Sequence, residues 1–247
     1  MISNSLLTEK PEFNALLKEK SRLKSLSIAN IFSEEPTRAY DLAIAGAGIE
    51  LDYSRHAIDK KGLTALFQII DATESQKFAN ELFDGLDVNF TEKQPALHSL
   101  FRTSSKGKNK RRYAEVSQIK NQMRHLVENI ISGRDKGFTG RPFTDIVNIG
   151  IGGSYLGPKL VFEALRNFRN HLDCHFVSNL DPDDLSATLA KLSPESTLFV
   201  VCSKSFTTEE TLTNAENAKN WLMEAGAKNL ENNFIAVTED LEKAKAF

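Results

Sequence analysis

The chain has 247 residues, 40% hydrophobic and 26% charged, with a formal net charge of −2. That is enough for one large core or two smaller ones, with no charge excess to attract nucleic acid or an anionic membrane. No apolar run approaches the ~18–20 residues of a membrane span, and the start, MISNSLLTEKPEF, lacks the basic and long apolar parts of a secretory signal.

Up to about residue 140 the sequence reads as helical with polar connections. Phe13, Leu16, Leu17, Lys20, Leu23 and Leu26 are spaced for one helical face. The stretch RHAIDKKGLTALFQIIDATESQKFANELFDG suggests one or two further helices, with Gly85 near an end, and ALHSLFR a short helical turn. In EVSQIKNQMRHLVENIISG, Val116, Ile119, Met123, Leu126, Val127 and Ile130 recur at helical spacing, and Gly133 can close the helix.

Beyond residue 140 short apolar runs alternate with helix-like stretches. The runs predict parallel strands at 145–149, 174–178, 197–202 and 233–237, joined by crossover helices. The expected architecture is α/β: a parallel sheet with helices on both faces over 116–247, preceded by an N-terminal helical region over 1–115. Phe247 ends a helix with no C-cap glycine and no following strand, so the fold is expected to continue past it. Cys174 and Cys202 fall inside expected strands without metal-ligand spacing. They read as buried free thiols of a reducing, cytoplasmic compartment.

Two loops carry chemistry, and both follow strands at the edge where open parallel sheets bind ligands. In NIGIGGSYLGPKL, Gly150, Gly152 and Gly153 allow unusual dihedrals ahead of a helix N-terminus. A dinucleotide fingerprint fails here: the third glycine would stand at 155, which is Tyr155, and Asn179 follows the second strand in place of an acid. The second loop is SKSFTTEE. Ser203, Ser205, Thr207 and Thr208 supply hydroxyls and Lys204 a point charge, the surroundings a phosphate dianion needs. A plainer role competes: Thr207 and Glu210 also spell a capping box. That accounts for these two residues and leaves Ser203, Lys204 and Ser205 over.

Other features read as structural. The six basic residues from Arg102 to Arg112 lack interleaved aromatics and suit a solvated loop. His98 reads as a hydrogen-bonded core histidine, and Trp221 as packing its helix onto the sheet. His56, His125, His171 and His175 show no partner pattern.

The segments TDIVNIGIGGSYLGPKL and SKSFTTEETLTNA closely resemble the two signature loops in the N-terminal half of the glucose-6-phosphate isomerase family. LDYSR, FDGLDVNFTEKQPALHSLFR and GFTGRPFTDIVNIG extend the likeness in the family's order, over about residues 30–247. The resemblance implies a flavodoxin-like sugar-isomerase domain with a five-stranded parallel sheet. It implies interconversion of glucose 6-phosphate and fructose 6-phosphate through a cis-enediolate, with no metal or organic cofactor. The family's phosphate cradle maps onto Ser203, Lys204, Ser205, Phe206, Thr207 and Thr208, with serine for threonine at Ser205. Its sugar-contacting turn maps onto Gly153 and Ser154, with Tyr155 where many members have aspartate. The family's catalytic glutamate, histidine, lysine and arginine belong to a second α/β domain that nothing here matches, so no catalytic residue is assigned. The resemblance implies a cytoplasmic homodimer at full length that binds a phosphorylated sugar, and an inactive chain on its own. A non-catalytic phosphosugar-binding module or regulator of the same fold is the alternative.

Overall fold

The computed structural model describes residues 6–103 and 110–247. The chain divides into two units, Met1–Ser117 and Gln118–Phe247.

The first unit begins with α1 (Pro11–Leu23), which has proline in its first turn, and α2 (Ile28–Glu34), capped by Ser27 accepting from the Asn30 amide at 3.1 Å. After the short α3 (Arg38–Asp41) come β1 (Ala43–Gly46) and β2 (Ile49–Asp52), an antiparallel hairpin. The N-terminal region is helical apart from this hairpin, which the sequence reading did not expect. Ala47 and Gly48, with φ of 52° and 77°, make the tight turn that two-residue hairpins favour. Next come α4 (Lys60–Ala72) and α5 (Ser75–Phe83), with Gly85 in the left-handed region just beyond. Asp59 caps α4 through the Gly62 amide at 2.9 Å and takes two bonds of 2.7 Å from Arg22 of α1. Arg38 is fully buried, donating to the Ser54 and His56 carbonyls and to Glu35. His98 sits exposed in a short 3-10 turn, not in the core; Leu100 takes the buried position there.

The long α6 (Lys110–Ile131) ends two residues before Gly133, at φ 67°. Val116 and Ile130 of its apolar stripe are buried, whereas Ile119, Met123, Leu126 and Val127 between them are exposed. Most of the basic stretch at 102–112 lies outside the described residues.

The second unit is a parallel sheet with α-helices on both faces. Its strands are β3 (Asp145–Ile149), β4 (Asp173–Val177), β5 (Thr197–Cys202) and β6 (Phe234–Val237), in the order β4-β3-β5-β6. All neighbours run parallel. Among the described residues the sheet has four strands, against the five that the resemblance implied. The crossover helices are α7 (Gly153–Ala164), α8 (Pro182–Leu189) and α9 (Glu209–Glu224), with α10 (Leu241–Ala246) after β6.

Strand alternation sorts the core. Val147, Ile149, Val177, Phe199 and Val201 point one way, onto Leu185 and Leu189 of α8 and Ala215, Ala218 and Leu222 of α9. Trp221 meets Phe199 edge-on at 6.0 Å, as its helix packs on the sheet. The other face carries Ile146, Leu198 and Ile235 against Ile130 of α6, while Phe176 meets Phe162 and Tyr155 of α7. Burying both faces is why these strands read as near-continuous apolar runs.

Candidate functional site

The two loops singled out in the sequence leave neighbouring strands at the same end. β3 and β5 pair with Ile149 level with Val201, so Gly150 and Cys202 emerge side by side, about 4.8 Å apart as in any sheet. Gly150 has no room for a side chain: a Cβ would stand 2.9 Å from Ser154 Cβ and 3.1 Å from the Cys202 carbonyl. Gly152 adopts φ 60°, ψ −120°, a conformation suited to glycine, and serves as the N-cap of α7. α7 then presents the turn Gly153–Ser154 at its positive end.

One residue the sequence reading missed holds this turn. Asn148 on β3 is buried, donates through Nδ2 to the Ser154 carbonyl at 3.1 Å, and accepts at Oδ1 from the Cys202 thiol at 3.3 Å. A polar residue at an apolar-strand position was the only signal available. Burial pushes the Cys202 thiol above its ordinary pKa, which keeps it the protonated donor.

The second loop is braced from β6 and α10. The Ser203 amide donates to the Val237 carbonyl at 3.1 Å, and the Lys204 carbonyl accepts from the Glu239 amide and the Thr238 hydroxyl, each at 3.0 Å. Phe206 sits at φ 51°, unusual for a non-glycine residue, buried edge-on against Phe247 at 5.6 Å. An inward Phe206 leaves its polar neighbours to the outer side of the loop: Lys204, Ser205 and Thr207 are exposed.

The hydroxyls pair with one another. Ser203 Oγ lies 3.3 Å from Thr208 Oγ1, and Ser205 Oγ 2.6 Å from Thr207 Oγ1. The capping-box reading is corrected. α9 starts at Glu209, so Thr208 is the N-cap, and its side chain makes no capping bond. Thr207 lies one residue before the cap, and the third helical position is Thr211, not an acid. Thr211 Oγ1 is buried without a hydrogen-bond partner. Two cations flank the loop: Lys204 within it and Lys243, which donates to the Ser205 carbonyl at 3.4 Å and pairs with Asp240 at 2.9 Å. Lys243 stood outside every sequence signal.

Tyr155, beside the first turn, accepts a 2.7 Å bond from Lys159, which also lies over its ring at 5.0 Å. That bond raises the Lys159 pKa above the usual lysine value. His175 does find a partner, Asp145 at 2.8 Å, at the start of β3 and so away from the loop ends. Among the described residues no group of His, Cys, Asp or Glu is placed to hold a metal ion, and no helix is long and apolar enough to cross a membrane.

The chain is similar to known proteins. The chain is 38% identical over 250 residues to a glucose-6-phosphate isomerase of Shewanella halifaxensis, covering 98% of this chain and 45% of that protein. It is 37% identical over 230 residues to one of Christiangramia forsetii, covering 91% of this chain and 42% of the relative. The crystal structure of a glucose-6-phosphate isomerase from Chlamydia trachomatis superposes with a TM-score of 0.72 at 26% identity, over 96% of this chain and 46% of that one. The chain thus spans under half the length of the relatives it matches. The phosphoglucose isomerase family model matches residues 52–247, which takes in both loops and the whole sheet: the chain belongs to the phosphoglucose isomerase family.

Proposed function

We propose that this chain is the substrate-positioning portion of a glucose-6-phosphate isomerase. The Ser203–Thr208 loop holds the 6-phosphate, and the Gly153–Ser154 turn holds part of the sugar. The observation that carries this reading is the loop at the N-terminus of α9, which gathers four hydroxyls in two facing pairs, Ser203 with Thr208 and Ser205 with Thr207. A phosphate dianion offers each a stronger acceptor, since a hydrogen bond to a charged group contributes roughly 1.5–3 kcal/mol. The positive end of α9 and the nearby Lys204 add charge compensation. The buried, unpartnered Thr211 hydroxyl is a further donor one turn below.

In this reading the chain contributes orientation, and the proton transfer between C2 and C1 belongs to the portion of the relatives it does not span. Binding energy at the phosphate fixes the distance of the reacting carbons from a base supplied elsewhere. The full-length protein acts as a cytoplasmic homodimer in this proposal, with the two units as separate domains.

Calorimetric titration of the 247-residue chain tests it. Glucose 6-phosphate and inorganic phosphate should bind saturably and compete, while unphosphorylated glucose should not bind at concentrations where they do. A folded chain that binds neither phosphorylated probe overturns the reading.

A further inference from the structure

Pro158 lies inside α7, where it has no N–H to donate to the carbonyl four residues back. That carbonyl belongs to Ser154, in the turn assigned to the sugar. Asn148 supplies the missing donor, its Nδ2 standing 3.1 Å from the Ser154 oxygen. The other end of the same amide accepts from the thiol of Cys202, the residue before the phosphate loop. A single buried side chain therefore links the first turn of α7, the end of β3 and the end of β5.

We infer that Asn148 is a positioning residue that sets the sugar turn at a fixed offset from the phosphate loop, so that one phosphosugar can reach both. The inference rests on the phosphosugar reading above. It predicts a separable effect, because the phosphate loop has further bracing of its own that the sugar turn does not share. The phosphate loop hangs on Val237, Thr238, Glu239 and Phe247, and none of those contacts passes through Asn148. The turn at Gly153–Ser154 depends on it.

Asn148→Asp removes the donor and sets a carboxylate oxygen against the Ser154 carbonyl. Asn148→Ser removes the bridge with a smaller polar group. Cys202→Ala leaves the Ser154 bond intact and removes only the thiol donor. Each variant of the 247-residue chain would be titrated with glucose 6-phosphate and with inorganic phosphate. Both Asn148 variants should bind glucose 6-phosphate about tenfold more weakly, with phosphate affinity within about twofold of the parent; Cys202→Ala should show a smaller loss of the same kind. The split between probes is the signature that a merely structural residue would not give. Equal loss of both probes, or no loss of either, overturns the positioning role while leaving the phosphosugar reading intact. If Asn148→Asp fails to fold, Asn148→Ser and Cys202→Ala decide it by the same ratio. A parent chain that binds neither probe overturns the phosphosugar reading itself, and the inference with it.

Discussion

The hydroxyl of Ser203, at the end of β5, faces that of Thr208, the N-cap of α9, across 3.3 Å. The loop thus closes on itself through polar groups that a ligand can recruit. Thr208 makes no side-chain capping bond, so its hydroxyl is held for something other than the helix. Thr208→Val should lower affinity for inorganic phosphate about tenfold, the lower end of one charge-assisted hydrogen bond of ~1.5 kcal/mol. Calorimetry checks this. Unchanged affinity would mean the pair serves only the loop's own shape.

Thr207→Ala separates helix capping from ligand binding. Because Thr207 lies outside the cap, its loss should change stability by less than about 0.5 kcal/mol, as at an ordinary surface position. A true N-cap would cost ~1 kcal/mol. Urea denaturation measures the first quantity and phosphate titration the second. A drop near that of a lost cap, with no change in affinity, would restore the plain capping role.

Gly150→Ala should be damaging for lack of space. The new methyl meets Ser154 Cβ at 2.9 Å, the Ser154 carbonyl at 3.0 Å and the Cys202 carbonyl at 3.1 Å, mostly backbone that cannot step aside cheaply. Overpacking of this kind costs about 1–3 kcal/mol. Thermal unfolding should register it, and binding of glucose 6-phosphate should fall as the loops are driven apart. Wild-type stability and affinity together would show that the approach is looser than the geometry says.

How much of this was legible beforehand depends on range. The four parallel strands were readable because each is short, apolar and followed by a helix-forming stretch, and the two loops because glycines and hydroxyls cluster there. The β1–β2 hairpin was not. Its strands, AIAG and IELD, carry little β-branched or aromatic content, and only the Ala47–Gly48 turn hinted at it. The cap of α9 was misplaced by one residue, since Thr207 and Thr208 are equally good caps in isolation. His98 looked like a core residue because it sits between Leu97 and Leu100, yet the 3-10 turn points it outward. Asn148, Pro158 and Lys243 escaped because their partners are brought to them by tertiary contacts.

Acid should loosen α10 before it unfolds the sheet. The Asp240 carboxyl is held below its ordinary pKa, first by a hydrogen bond from the Lys243 ammonium and then by the Lys243 amide it caps. A depressed carboxylate pKa stabilises the fold above the unfolded value of ~3.9 and loses that contribution as pH falls through the lower folded value. The protection of the Lys243 and Phe247 amides against exchange, relative to their intrinsic rates, should therefore fall below about pH 4, and Asp240→Asn should flatten that dependence. Identical profiles for the two proteins would remove Asp240 from the account.

No isomerase turnover is expected of the purified chain. No general base is assigned in it, and loss of one positioned base alone lowers rates by about 10²–10⁴-fold. A coupled assay free of host isomerase gives the answer. Turnover near that of a full-length relative would require a base within residues 1–247.

Phe247 rests edge-on against Phe206, and Lys219 both donates to the Phe247 carbonyl at 2.7 Å and lies over its ring at 4.1 Å. The floor of the Ser203–Thr208 loop is therefore laid by Phe247, far downstream of it in the chain. Trimming the chain back to β6 would remove that floor without touching a single loop hydroxyl. A weakened phosphate signal from such a shortened protein would report on the missing Phe247 ring, and not on the donors above it.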